Sequence, residues 1–249
     1  MQTIALILEY DGSEFFGWQR QGYQRTVQIE LEAALSRVAN HPIEVYCAGR
    51  TDKGVHASHQ VVHFLTNTER KLSAWVLGTN TFLPADVKIL NAYVVPPDFH
   101  ARFSALARRY VYRILNRPIR PAIARQTLTW EHRPLDAIKM HHAAQILIGE
   151  QDFSSFRSSQ CQSRTPMRRV DFVTVSRVGE MLTVDIQANA FLHHMVRNIV
   201  GCLIMVGSGE KEIGWLKTVL DAKDRTKAAP TAPPNGLTLV EVIYPNPLG

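Results

Sequence analysis

The sequence predicts an α+β fold of two similar ferredoxin-like halves, each with a mainly antiparallel sheet, meeting at a central basic cleft. Three observations predict it. Candidate strands and helices mix at hairpin-like spacings, unlike the strict strand–helix rhythm of a doubly wound parallel sheet. The second half of the chain repeats the rhythm of the first. A chain of 249 residues, 45% hydrophobic and 20% charged, can bury a core without disulfide or metal staples.

In chain order, residues 3–10 read as a first strand closed by Asp11-Gly12. Thr26 is placed as an N-cap with Gln28 and Glu30 just inside, and Val27, Leu31, Ala34, Leu35 and Val38 follow at helical spacing. Residues 43–48 are a short strand, 49–54 a polar loop bounded by glycines, 60–65 a strand, 72–80 a helix and 87–95 a strand. Pro96-Pro97 then breaks the chain and is the best boundary signal. The domains are read as 1–105, carrying the aspartate loop, and 106–249, rich in arginine. In the second, 109–115 alternates as a strand with Tyr110, Tyr112 and Ile114 on one face, and 135–148 is a helix closed by Gly149. Residues 169–178 and 181–190 form a hairpin about Gly179-Glu180. Residues 194–206 and 212–222 are helices, and 237–244 is a last strand after a loop stiffened by Pro230, Pro233 and Pro234.

Composition excludes several classes. Three widely separated cysteines, Cys47, Cys161 and Cys202, make neither a disulfide framework nor a zinc pair. The opening lacks the basic region of a signal peptide, and the longest apolar run, 199–206, is far short of a membrane span. A cytoplasmic protein with no membrane partner is expected. P-loop, dinucleotide-binding and nucleophile-elbow motifs are missing, so a cofactorless reaction is expected of an enzyme.

Charge is uneven. Residues 1–98 hold 8 Lys/Arg against 10 Asp/Glu, whereas 99–249 hold 20 against 12. Seven arginines and no acid lie between His100 and Trp130, and four more, again without acid, between Phe153 and Val170. Phe103, Tyr110, Tyr112 and Phe156 are interleaved with them. Guanidinium forks suit phosphate and aromatic faces suit unstacked bases, which favours a nucleic-acid partner over a merely solvated basic face.

The densest chemical cluster is Ala48-Gly-Arg-Thr-Asp-Lys-Gly-Val-His-Ala57, with Asp52 between Arg50 and Lys53. Flanking cations favour the ionised carboxylate, available as a nucleophile; the same pattern also serves a turn aspartate between two surface cations. His56, His59 and His63 invite comparison with a metal site. The stretch after His59 reads as a strand, where odd spacings fall on opposite faces, so packed or RNA-facing histidines are expected and no metal. Arg197 and Asn198 interrupt the apolar run 191–206, so Arg197 either finds an acid from outside 186–209 or snorkels to the surface.

At these residues the chain resembles the tRNA pseudouridine synthase A family. The likeness rests on Tyr10-Asp11-Gly12, Phe16-Gly17-Trp18-Gln19-Arg20-Gln21, the 49–57 block, Phe103-Ser104-Ala105 with Arg108-Arg109-Tyr110, Asp152-Phe153-Ser154-Ser155-Phe156, 191–198 and 232–237. The resemblance implies isomerisation of uridine to pseudouridine at positions 38, 39 and 40 of the tRNA anticodon arm, without cofactor or metal, by a homodimer. It implies Asp52 as the catalytic aspartate, Tyr110 stacked on the flipped base, Arg197 paired with the aspartate, Leu237 lining the pocket and Arg50 holding the uridine out of the stem. A non-catalytic RNA-binding module is the alternative reading.

Overall fold

A computed structural model describes residues 1–246 and 248. The chain divides into two compact units, Met1–Ala107 with Thr238–Gly249, and Arg108–Leu237. Its elements are β1 (Gln2–Tyr10), α1 (Val27–Ala39), β2 (Tyr46–Cys47), β3 (His56–Thr66), β4 (Val87–Val95), β5 (Ala107–Asn116), β6 (Thr129–Glu131), α2 (Ala137–Ala144), β7 (Gly149–Asp152), β8 (Met167–Val178), β9 (Met181–Ala188), α3 (Met195–Gly207), α4 (Trp215–Ala222) and β10 (Leu237–Ile243). The fold is α+β with a largely antiparallel sheet, as the sequence predicts.

In the first unit the strand order is β4-β1-β3-β10, with β2 on β3. β1 runs antiparallel to both neighbours, and Ile4, Ala5, Leu6, Ile7 and Leu8 are all buried. A strand covered on both faces carries a continuous apolar run, which is why 3–8 has no polar alternation. β10 joins this unit by parallel pairing of Thr238 with His56 and Leu239 with Ala57. α1 buries Val27, Leu31, Ala34 and Leu35.

The strand expected at 43–48 shrinks to two residues for an identifiable reason. The amide of Ile43 donates to Ser36 Oγ (2.9 Å) and that of Val45 to Glu32 Oε1 (3.0 Å). Side chains of α1 thus take the donors that a neighbouring strand would have used. The helix expected at 72–80 is present with a π-helical centre, Ala74–Gly78.

In the second unit the order is β5-β9-β8-β7, with β6 parallel to β5. The β8–β9 hairpin turns at Gly179, whose φ of +57° suits a glycine. β9 alternates buried and half-buried residues along its whole length. α2 packs on β8 and α3. It is shorter than expected: Asp136 caps its start by accepting from the amides of Ile138 and Lys139, and residues 145–147 tighten into a 3₁₀ turn. α3 is apolar nearly all round and correspondingly buried.

The approach of α3 to the segment before β10 leaves no room for a side chain. A Cβ on Gly201 would stand 2.1 Å from the carbonyl oxygen of Pro230. Gly201→Ala would gain about 1 kcal/mol of helix propensity. The backbone clash outweighs that gain, so a net loss of roughly 1–3 kcal/mol is expected, read as a lower urea midpoint.

His63 supplies a pH dependence. Its Nδ1 accepts from the amide of Ala101 (3.1 Å), and its ring lies among Tyr46, Phe99 and His100. Burial, with His100 close by, lowers its pKa from 6.5 to about 4. Folding therefore favours neutral imidazole, and its stabilisation is complete above pH 6.5 and lost as the pH falls toward 4. His59 and His100, also lowered chiefly by burial, act in the same sense. Urea midpoints should drop across that window, and His63→Gln should flatten the slope.

Candidate active site

In the first unit, Asp52 lies in the loop between β2 and β3, and several backbone groups of that loop are held by partners outside it. Ala48 donates to Val61 O (2.8 Å). Gly49 is gripped twice by the fully buried Gln60, its amide donating to Oε1 (3.4 Å) and its carbonyl accepting from Nε2 (2.6 Å). Thr51 is hydrogen-bonded through Oγ1 to the Tyr10 hydroxyl (2.8 Å), and its carbonyl accepts from Trp18 N (3.0 Å). Asp52 then opens a tight turn: its carbonyl accepts from Val55 N (3.1 Å), with Gly54 at φ +77° in the third position.

Two glycines allow the chain of residues 11–18 to lie on this loop. A Cβ on Gly12 would stand 2.0 Å from Val55 O, and one on Gly17, at φ +89°, 2.7 Å from Thr51 O and 3.1 Å from the carbonyl carbon of Asp52. The Asp52 side chain is half-buried. Arg50 is exposed and forms no ion pair among the described residues. Lys53 places its ammonium 3.9 Å from the centre of the Phe16 ring. Arg50 and Asp52 thus share one pinned loop, and the two cations beside the aspartate differ: one is committed to an aromatic face, the other is open to solvent.

The three histidines go to separate surroundings. His56, the first residue of β3, accepts from Gly12 N through Nδ1 (3.0 Å). His59 lies near Glu241, and His63 sits in its aromatic cluster.

In the second unit, Tyr110 lies on β5 opposite Ile186 of β9, buried, with its ring edge-on to Phe191 at 5.1 Å. Arg197 stands in the first turn of α3. Its Nε donates to Ala232 O (2.9 Å), and Ala232 N donates to Arg197 O (3.1 Å). The segment 229–236 is held along its length: Ala229 N to Cys202 Sγ (3.3 Å), Thr231 Oγ1 to Asn198 Oδ1 (2.7 Å), and Pro233 O from the Tyr112 hydroxyl (2.7 Å). Asn198, fully buried, also accepts from Arg225 (3.1 Å) and donates to Phe156 O (2.8 Å). A Cβ on Gly236 would be 2.7 Å from Arg113 O and 2.8 Å from both Thr129 Oγ1 and the Tyr112 ring. Leu237 follows at once and is buried. Arg197 is therefore tied to the middle of one fixed strap, and Leu237 follows directly on its end.

Sequence reasoning missed the residues that do this holding: Tyr10, Gln60, Tyr112 and Gly236. Tyr10 and Gly236 stand in the quoted motifs, but their roles depend on distant partners, Thr51 for Tyr10 and Arg113 and Thr129 for Gly236.

The arginines of the basic stretches divide into three kinds. Arg109 pairs with Asp185 through two bonds (2.9 and 2.6 Å), Arg117 with Glu180 (3.2 Å) and Arg169 with Asp171 (3.0 Å). Arg157 and Arg168 bind the backbone and Ser163 within 161–167 and so shape that loop. Arg113, Arg125 and Arg164 are exposed and form no ion pair among the described residues.

Comparison with known proteins gives a consistent result. A family model described as tRNA pseudouridine synthase matches residues 6–104 and 143–245. The chain is 59% identical over 246 residues to a tRNA pseudouridine synthase A of Shewanella amazonensis, covering 99% of this chain and 94% of that one. It is 58% identical to one of Klebsiella pneumoniae subsp. pneumoniae, covering 97% and 90%, and 57% identical to one of Coxiella burnetii, covering 98% and 94%. The chain belongs to the tRNA pseudouridine synthase family, isomerases that convert uridine to pseudouridine.

Proposed function

We propose that this enzyme forms pseudouridine at positions 38, 39 and 40 of the tRNA anticodon arm, with Asp52 as its catalytic carboxylate and without metal or cofactor. The observation that carries the reading is the Asp52 turn, fixed on both sides by buried groups while the side chain stays half-exposed. That is preorganisation of a reacting group.

The reaction breaks the N1–C1′ bond of uridine, turns the uracil and rejoins it through C5. C5 loses a proton and N1 gains one, so atoms balance without a redox partner. An ionised carboxylate serves either by covalent addition or by assisting departure of the base as a glycal forms. Tyr110 offers an aromatic face to the flipped uracil, Leu237 an apolar wall, Arg50 a cation to the displaced strand and Arg197 a further cation. Flipping a paired base costs a few kcal/mol, which stacking and phosphate contacts offset. Exposed Arg113, Arg125 and Arg164 suit the phosphate contacts. The working enzyme is a homodimer in this reading.

Tritium at C5 of uridine in a tRNA transcript reports the reaction directly, and transcripts keeping a single uridine at 38, 39 or 40 report its position. Wild type should release the label from each, and Asp52→Asn should release none while binding tRNA within a few-fold. Release by Asp52→Asn prepared free of wild type would sink the assignment. Separately, Arg113→Gln with Arg125→Gln should weaken tRNA binding and flatten its dependence on log salt by about 0.7–0.9 for each phosphate no longer neutralised.

A further inference from the structure

The groups that touch the Asp52 loop from β1 and β3 form a connected set. Gln60 Nε2 donates to both Gly49 O (2.6 Å) and the Tyr10 hydroxyl oxygen (3.3 Å), and that hydroxyl is bonded to Thr51 Oγ1 (2.8 Å). The set therefore grips the loop at residues 49 and 51, on either side of Arg50 and immediately before Asp52. Its members are almost wholly buried: Gln60 is 0% exposed, Tyr10 3% and Thr51 7%. None is placed to leave the core and meet a substrate, yet together they hold residues 49 and 51, within three residues of the reacting carboxylate.

We propose that Tyr10 and Gln60 are positioning residues for Asp52, acting through Thr51 and Gly49, and that turnover depends on them while tRNA affinity does not. The proposal rests on the reading of Asp52 as the catalytic carboxylate. Its physical basis is geometric. A reacting group displaced by about 1 Å loses on the order of a hundredfold in rate, because the barrier was lowered by holding it in place. Tyr10→Phe removes one oxygen and keeps the ring beside Trp18, whose centre is 6.0 Å away. Thr51→Val keeps the shape of the side chain and removes its hydroxyl.

The test is steady-state tritium release with tRNA binding and thermal melting measured on the same preparations. Tyr10→Phe and Thr51→Val should each lower kcat by roughly ten- to a hundredfold, with KM and tRNA Kd within about twofold of wild type. The double variant should be no worse than Tyr10→Phe alone, because that change already removes the link to Thr51. Thr51→Ser, which keeps the hydroxyl, should restore most of kcat. A purely structural role would lower the melting temperature of Tyr10→Phe and leave kcat per folded enzyme unchanged, and that result overturns the proposal. So would a rise in KM at constant kcat, or a Thr51→Ser as slow as Thr51→Val. If Tyr10→Phe fails to fold, the Thr51→Val and Thr51→Ser pair decides the matter alone. Turnover by Asp52→Asn would remove the functional reading and this proposal together, whereas failure of the Tyr10 and Thr51 variants to slow an active wild type removes only the proposal.

Discussion

The first unit depends on one close contact, the backbone of residues 12–17 lying directly against that of residues 51–55. Gly12 and Gly17 have no room for a Cβ on that side, and Gly17 also needs its positive φ. The same short segment serves α1. The amides of Val27 and Gln28 donate to Gly17 O (3.3 Å) and Trp18 O (3.1 Å), taking up donors that the helix start would otherwise leave open, where Thr26 provides no side-chain cap. One turn of chain thus closes a helix and seats the aspartate loop, so the position of Asp52 is tied to secondary structure on both sides of it.

The second unit solves its placement problem with the same kind of parts. Tyr112, buried, gives its hydroxyl to Pro233 O and lies 2.6 Å from Thr129 Oγ1, as Tyr10 lies against Thr51. Burial raises the Tyr112 pKa, so the hydroxyl stays protonated and remains a donor. Gly236 and Gly201 play the part of Gly17, permitting backbone contact where a methyl group would force the strap away. In each unit a tyrosine hydroxyl and a glycine fix the loop, and the residue assigned to the substrate is its neighbour in sequence.

This division explains what is legible in the sequence. β1 and the β8–β9 hairpin are readable because burial imposes a pattern, continuous in one and alternating in the other. β6 and β7, three and four residues long, carry too few positions to show a period. The short β2 reads as too long because Ile43 and Val45 are buried as in a strand, although their amides are spent on Ser36 and Glu32. Asp52 and Arg50 stand out because chemistry demands those side chains in a glycine-bounded loop. Gln60, by contrast, looks like any polar residue in a strand, and its hold on Gly49 exists only once β3 has folded back.

The arginines show where composition alone overreaches. An acid-free stretch reads as a uniform phosphate-binding face, yet Arg109 and Arg117 have acids waiting on other segments, Arg169 pairs with Asp171 just past the end of its stretch, and Arg157 and Arg168 are spent on carbonyls of their own loop. Local sequence cannot report this, because Asp185 is 76 residues from Arg109 and Glu180 is 63 from Arg117. A guanidinium already paired with a carboxylate gains little from an RNA phosphate, since one partner replaces another at the cost of exposing the acid. Affinity for tRNA should therefore be concentrated in arginines that are exposed and form no ion pair among the described residues, such as Arg113, Arg125 and Arg164 with Arg50 beside the aspartate, and not spread evenly over the basic half of the chain.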